Sequence, residues 1–197
     1  MNRRKFIFAQ LFELVYRYDI NLCVNQYKGN FGVKSFTCWE QFLVLSFAQF
    51  SYRESLRDFE YCLESVRSKL YHYGIKTAVS RSTLAEANKD RDWRIYADYA
   101  QVLYKQRWQV ELFFKWIKQN LRVKKFYGNS ENAVKIQIWI AVCDYLIIAI
   151  LKKKLNLEPS MNQILQILSI SLFEKIPLKD LLENNDTTIV SNQQLLF

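Results

Sequence analysis

Glycine and proline are scarce, with four and two copies in 197 residues. Strand-rich chains use both residues to punctuate tight turns. Their scarcity, together with little period-two alternation, favours helices. Histidine occurs once, at His72, and Cys23, Cys38, Cys62 and Cys143 never form a Cys-x-x-Cys pair. That argues against a zinc site and reads as reduced thiols in the apolar surroundings of a cytosolic protein. The opening Met1-Asn-Arg-Arg-Lys-Phe lacks the apolar run and small-residue cleavage site of a signal peptide. No apolar run reaches the ~20 residues of a membrane span. The nearest, residues 136–151, contains Gln137 and Asp144 before Lys152, Lys153 and Lys154. It reads as a buried core helix. A small membrane-associated protein is the competing reading, which recovery in the detergent-free soluble fraction would dismiss.

Half of the residues are hydrophobic and 16% are aromatic, which excludes a disordered chain. The length suffices to bury the core of one domain or of two small ones. Acidic residues are thin in the middle. The net charge of +9 divides into +4 over residues 1–101, +8 over 102–154 and −3 over 155–197. A positive centre suits a polyanionic partner.

Helices are expected over residues 3–18, then a loop or short extended segment over 26–36 containing Gly29 and Gly32. Thr37 with Glu40 has capping-box spacing and opens a helix through Phe50. Ser51 with Glu54 has the same spacing and opens one over 52–64. A short helical turn over 66–71 ends at Gly74. Ser80 or Ser82 caps a short helix to Asn88, and Asp90 or Asp92 starts another that runs on into Tyr104. Ser130 opens the long apolar helix, Pro159 and Pro177 bracket a helix over 161–173, and residues 184–197 form a loose polar tail.

Tyr104, Arg107, Glu111 and Lys118 stand in the spacing Tyr-x2-Arg-x3-Glu-x6-Lys. At about 100° per residue they project within roughly 60° of one another, and Lys115 joins their stripe. Leu103, Val110, Leu112, Phe113, Phe114, Trp116, Ile117 and Leu121 cover the opposite arc, so residues 102–122 read as an amphipathic helix. One carboxylate among cations and a phenol is not the alternating ladder of a solubilising face. A solvated basic face is the plainer alternative. Beyond it, Arg122, Lys124 and Lys125 can neutralise phosphates, while Phe126 and Tyr127 read as packing inward rather than stacking on a base. Ser80, Arg81, Ser82 and Thr83 place hydroxyls and a guanidinium at a helix start, with Arg53, Arg57, Lys89, Arg91 and Arg94 around them. That chemistry suits the second helix of a helix-turn-helix on DNA. N-capping explains the hydroxyls equally well.

The Tyr-x2-Arg-x3-Glu-x6-Lys spacing resembles the signature of the DDE transposases of bacterial insertion sequences, the cut-and-paste group. The flanks 103–118 and 126–134 are similar to that group's C-terminal region. Phe36-Thr-Cys-Trp-Glu40, Arg53-Glu-Ser-Leu-Arg-Asp58 and Val79-Ser-Arg-Ser-Thr-Leu84 are similar to its N-terminal domain. The resemblance implies that Glu111 is the third metal-binding carboxylate and that Tyr104, Arg107 and Lys118 hold DNA phosphates near the cut. It also implies Mg²⁺ as cofactor, transposon terminal inverted repeats as DNA partner, and a cytoplasmic, nucleoid-associated protein without a membrane. The middle departs from the family pattern. The first two catalytic aspartates belong to strands of an RNase H-like sheet, whereas here Ile95-Tyr-Ala-Asp-Tyr-Ala-Gln101 runs straight into Val102 and Tyr104.

An internal deletion follows. The expected protein is mainly α: a helical, DNA-binding-like N-terminal domain (residues 1–101) joined to C-terminal helices of a transposase core without its sheet (102–183), then the tail. Two-metal phosphodiester chemistry needs several carboxylates around the ions, and Glu111 stands alone. Mg²⁺ is therefore not expected to be held productively. The expected function is that of a transposase-derived DNA-binding protein with transposition activity lost. The alternative is a non-catalytic inhibitor or DNA-binding module that pairs with its own copy or with a full-length transposase. Apolar faces deprived of their sheet are expected to be exposed unless they pack on each other or on a second copy.

Overall fold

The computed structural model describes residues 5–53, 55–76, 79–105 and 127–184. Among these the chain is helical with no strand, in agreement with the mainly α expectation.

The helix expected over residues 3–18 is shorter, and a second one, mostly beyond that range, follows it. Helix α1 (Ile7–Phe12) and α2 (Arg17–Gln26) are separated by a turn ending at an extended Tyr16. The break lets Ile7, Phe8 and Leu11 of one helix and Ile20 and Val24 of the other reach the same core. A continuous helix would have directed these two groups along separate stripes, so burial overrides local propensity. The Thr37–Glu40 capping box forms as expected and opens α3 (Cys38–Phe50). Glu54 of the second box lies outside the described residues, and the helix expected there starts later. Ser51 turns back to donate to the Phe47 carbonyl at 2.7 Å, ending α3, and Ser55 caps α4 (Leu56–Ser65) instead. A 3₁₀ turn, Arg67–Tyr73, stops at a left-handed Gly74. Ser80 caps α5 (Arg81–Asp90), and α6 (Arg94–Lys105) follows. Ser130 caps α7 (Glu131–Leu155), and α8 (Met161–Ser171) and α9 (Leu178–Asn184) complete the described fold. The expected tail lies outside the described residues, except for Asn184, which closes α9.

Helix α7 is the hub. It packs most extensively on α6 and also touches α1, α3, α5 and α8. Every side chain from Ile140 to Leu151 is buried, so the helix is apolar all round. By length and composition it could cross a membrane, but most of its apolar window is covered by neighbouring helices. Among the described residues the cover comes largely from the front of the same chain. Helix α6 runs unbroken across residues 101 and 102, and buried side chains from Phe6 to Leu182 belong to one core.

Helix α1 is tied to the start of α9 by a buried amide. Gln10 donates through Nε2 to the carbonyls of Lys5 and Ile176 at 2.8 and 2.7 Å, and its Oε1 accepts from the backbone of Leu178 at 3.0 Å. Gly29, after α2, is pressed against α6 and α3. A Cβ there would lie 2.5 Å from Ile95 Cδ1 and 2.8 Å from Cys38 Sγ. Gly29→Ala is expected to cost about 1–3 kcal/mol through overpacking, read as a lower denaturant midpoint at unchanged slope.

Candidate nucleic-acid interface

The start of α5 is built from its own hydroxyls. Ser80 Oγ accepts from the Thr83 amide at 3.2 Å and lies 3.0 and 2.9 Å from the hydroxyls of Ser82 and Thr83. The capping role of Ser80 is thus real. Arg81, Ser82 and Thr83 nonetheless stay exposed. The Arg81 amide donates to Glu60 Oε1 at 3.1 Å, which ties this helix start to α4. The Arg81 guanidinium has no hydrogen-bond or ion-pair partner among the described residues, so it is available to an anion.

Two cations grouped with Arg81 in the sequence are engaged within the fold. Arg91 donates through Nη1 to the Thr37 carbonyl at 3.0 Å and to Gln41 Oε1 at 2.9 Å, and through Nη2 to the Phe36 carbonyl. Arg94 makes a forked pair with Asp92, 2.6 Å at its shortest, and its guanidinium stacks over Tyr27. The hydrogen bonds from Arg94 hold the Asp92 carboxyl below its ordinary range. Asp92 Oδ1 also accepts from the Arg94 amide at 2.9 Å, supporting the start of α6.

Of the signature residues, Tyr104 alone is described. It is half-buried near the end of α6 and packs against the core. Arg107, Glu111, Lys115, Lys118, Arg122, Lys124 and Lys125 lie outside the described residues. Tyr127, beyond them, packs inward as expected. Its hydroxyl donates to the Arg53 carbonyl at 2.5 Å, and burial pushes its pKa up to about 12.

No three His, Cys, Asp or Glu side chains converge in a way that could hold a metal ion among the described residues. Asp144, the deeply buried acid of α7, has no geometric hydrogen-bond partner for either oxygen. Burial raises its carboxyl pKa far above the ordinary value, and the Ser46 hydroxyl, outside hydrogen-bonding geometry, moderates the rise. Glu111, the carboxylate that the family resemblance assigns to the metal, lies outside the described residues.

The sequence reading missed the polar network that seats α5. Asn132 Nδ2 donates to the carbonyls of Asn88, Lys89 and Arg91 at 2.9, 3.0 and 2.6 Å, satisfying the end of that helix. Gln41 joins α3 to Asn88 at 2.6 Å and accepts from Tyr96 at 2.8 Å. No local motif marks these residues, because their partners lie more than forty positions away.

The comparisons with known proteins agree with the signature. The family described as Transposase DDE domain matches residues 56–147, and a domain of unknown function, DUF4372, matches residues 3–76. Over these residues the chain is related to the DDE transposases of insertion sequences. Among named relatives, a Sinorhizobium fredii protein bearing a transposase name is 50% identical over 48 residues, covering 24% of this chain and 14% of its own length. A protein named for the transposase of an insertion sequence element in Geobacillus stearothermophilus is 42% identical over 62 residues, covering 29% and 16%. A third, from a Synechocystis insertion sequence element, is 35% identical over 74 residues, covering 38% and 22%. The matched segments therefore span less than a quarter of each of these relatives. No solved structure matches the chain.

Proposed function

We propose that this DDE transposase relative is a DNA-binding protein of an insertion sequence that holds transposon ends without cutting them. The observation that carries the reading is the start of α5, where Arg81, Ser82 and Thr83 are exposed on a helix braced by α4 and clamped by Asn132. Such a helix start offers a guanidinium to a base edge or phosphate and hydroxyls to the backbone. Residues 1–101 are assigned to end recognition. Residues 102–183 are assigned to the remnant of the catalytic region, in which the family resemblance gives Tyr104, Arg107 and Lys118, and cationic character gives Lys115, Arg122, Lys124 and Lys125, to DNA binding.

Glu111 would be a metal ligand in an intact family member, where Mg²⁺ supports end hydrolysis and transfer to target DNA by a free 3′-hydroxyl. Here the direct run from residue 95 to 104 leaves no strands for its two companions, which supports the loss of that chemistry. The alternative reading is an inhibitor that occupies the ends or pairs with an intact transposase.

Gel shifts over a salt series, with transposon-end DNA against a scrambled duplex, test the reading. A retained preference for ends supports it, and a salt slope without preference leaves polyanion attraction alone. Arg81→Ala is expected to weaken end binding about tenfold while leaving the fold intact. In Mg²⁺ or Mn²⁺ the end substrate should stay whole. Specific cleavage abolished by Glu111→Ala would overturn the non-catalytic assignment.

A further inference from the structure

A groove of about 740 Å³ lies between the loop after α2 and one face of α5. Lys28, Phe31 and Lys34 stand on the loop wall, and Thr83, Glu86 and Asp90 on the helix wall. Phe31 is 88% exposed, an unusual position for a phenyl ring that would otherwise gain by burial.

The loop that presents this ring is firmly held. Gly29 packs against Ile95 and Cys38, and its amide donates to the Val24 carbonyl at 2.9 Å. Asn30 Oδ1 accepts from the Cys38 amide at 2.8 Å, and Lys28 and Gly32 take left-handed conformations at φ 52° and 71°. The ring is therefore displayed by a pre-organised turn, so little order has to be gained on binding.

The charges have a definite arrangement. Arg91 and Asp92 also border the groove, but each is satisfied within the fold. Lys28, Lys34, Glu86 and Asp90 have no ion pair or side-chain hydrogen bond among the described residues. Two free ammonium groups thus oppose two free carboxylates across a space edged by an exposed aromatic ring. A plain polyanion gains nothing from such a neutral groove. A ligand with an anion at one end, an amino donor at the other and a flat apolar body between them satisfies both walls.

We propose that the groove takes an unpaired nucleotide of single-stranded DNA. Its phosphate lies toward Lys28 and Lys34, its base stacks on Phe31, and its exocyclic amine donates to Glu86 or Asp90. Stacking on an aromatic ring is an established mode for unpaired bases, and a carboxylate accepts from the cytosine amine in duplex readout; the adenine amine offers the same kind of donor. The inference rests on the DNA-binding reading and adds to it a preference for unpaired, amine-bearing bases.

The test uses the full chain and fluorescein-labelled homopolymers of about a dozen nucleotides, a usual site size, read by anisotropy at fixed salt. Deoxycytidine and deoxyadenosine strands should bind several-fold more tightly than thymidine strands. Phe31→Ala should weaken both by roughly tenfold with an unchanged melting curve, since the ring is exposed. Glu86→Ala with Asp90→Ala, which removes both acceptors, should erase the preference over thymidine without weakening thymidine binding. Phe31→Trp should be quenched by the bound strand. Equal binding of all strands, or indifference to Phe31→Ala, overturns the groove proposal. If duplex ends are still preferred in that case, the DNA-binding reading survives it, whereas no binding to any DNA removes both.

Discussion

Replacing Asp144 with leucine should raise the thermal midpoint, by roughly 2–4 °C per kcal/mol for a chain of this size. The acid is 2% exposed in the middle of α7, and neither oxygen is hydrogen-bonded. An unsatisfied buried polar group costs about 1–3 kcal/mol, and a well-packed apolar replacement recovers much of it. A pH dependence accompanies the effect. Burial raises the folded carboxyl far above its ordinary range, and the charge neighbours offer no relief. Cys143 beside it and Tyr99 on α6 are themselves kept neutral by burial. The folded chain therefore retains a proton that the unfolded chain releases above about pH 4. Stability from this site is highest below the unfolded pKa and falls as pH rises toward the folded one. Asp144→Asn removes that slope, so its advantage over the native chain should widen across this window in thermal melts. A constant difference, or destabilisation by both substitutions, would show that the carboxylate has a partner.

Arg91→Ala should destabilise the protein by roughly 3 kcal/mol, since each partly buried acceptor left without its donor costs about 1–3 kcal/mol. The guanidinium bridges the end of α5 to the entry of α3 through the Phe36 and Thr37 carbonyls and Gln41, and it stacks over the Phe36 ring at 5.0 Å. Gln41 is shared with Tyr96 and Asn88, so the loss spreads into a connected network. Arg91→Lys should rescue little, because one ammonium cannot reproduce the planar fork. Denaturant midpoints at constant slope give the measurement. A loss below about 0.5 kcal/mol, the range of ordinary surface changes, would mean that water replaces the arginine.

Local rules carried the sequence reading where the chemistry is local. The box at Thr37 and Glu40 and the caps at Ser80 and Ser130 depend on contacts three residues apart, and they stand where the spacing puts them. The same rule failed at Ser51, whose hydroxyl found a carbonyl in the preceding turn and left capping to Ser55. Spacing alone does not separate those outcomes. It also missed the break before α2, where two apolar stripes bend to meet one core. At the candidate interface, the cationic residue types were legible but their employment was not. Arg81 is free at the surface, while Arg91 and Arg94 carry internal bonds.

The sequence by itself determined the helical class, the long apolar helix and the transposase family, because periodicity, caps and a spaced signature are written within a few turns. Tertiary structure decided what covers α7, which cations remain available, and that a displayed phenyl ring borders a two-signed groove. Those outcomes rest on partners far apart in the chain, such as Gln10 with Ile176. Contacts of that kind have no local spacing rule, and only the closing of the core selects them.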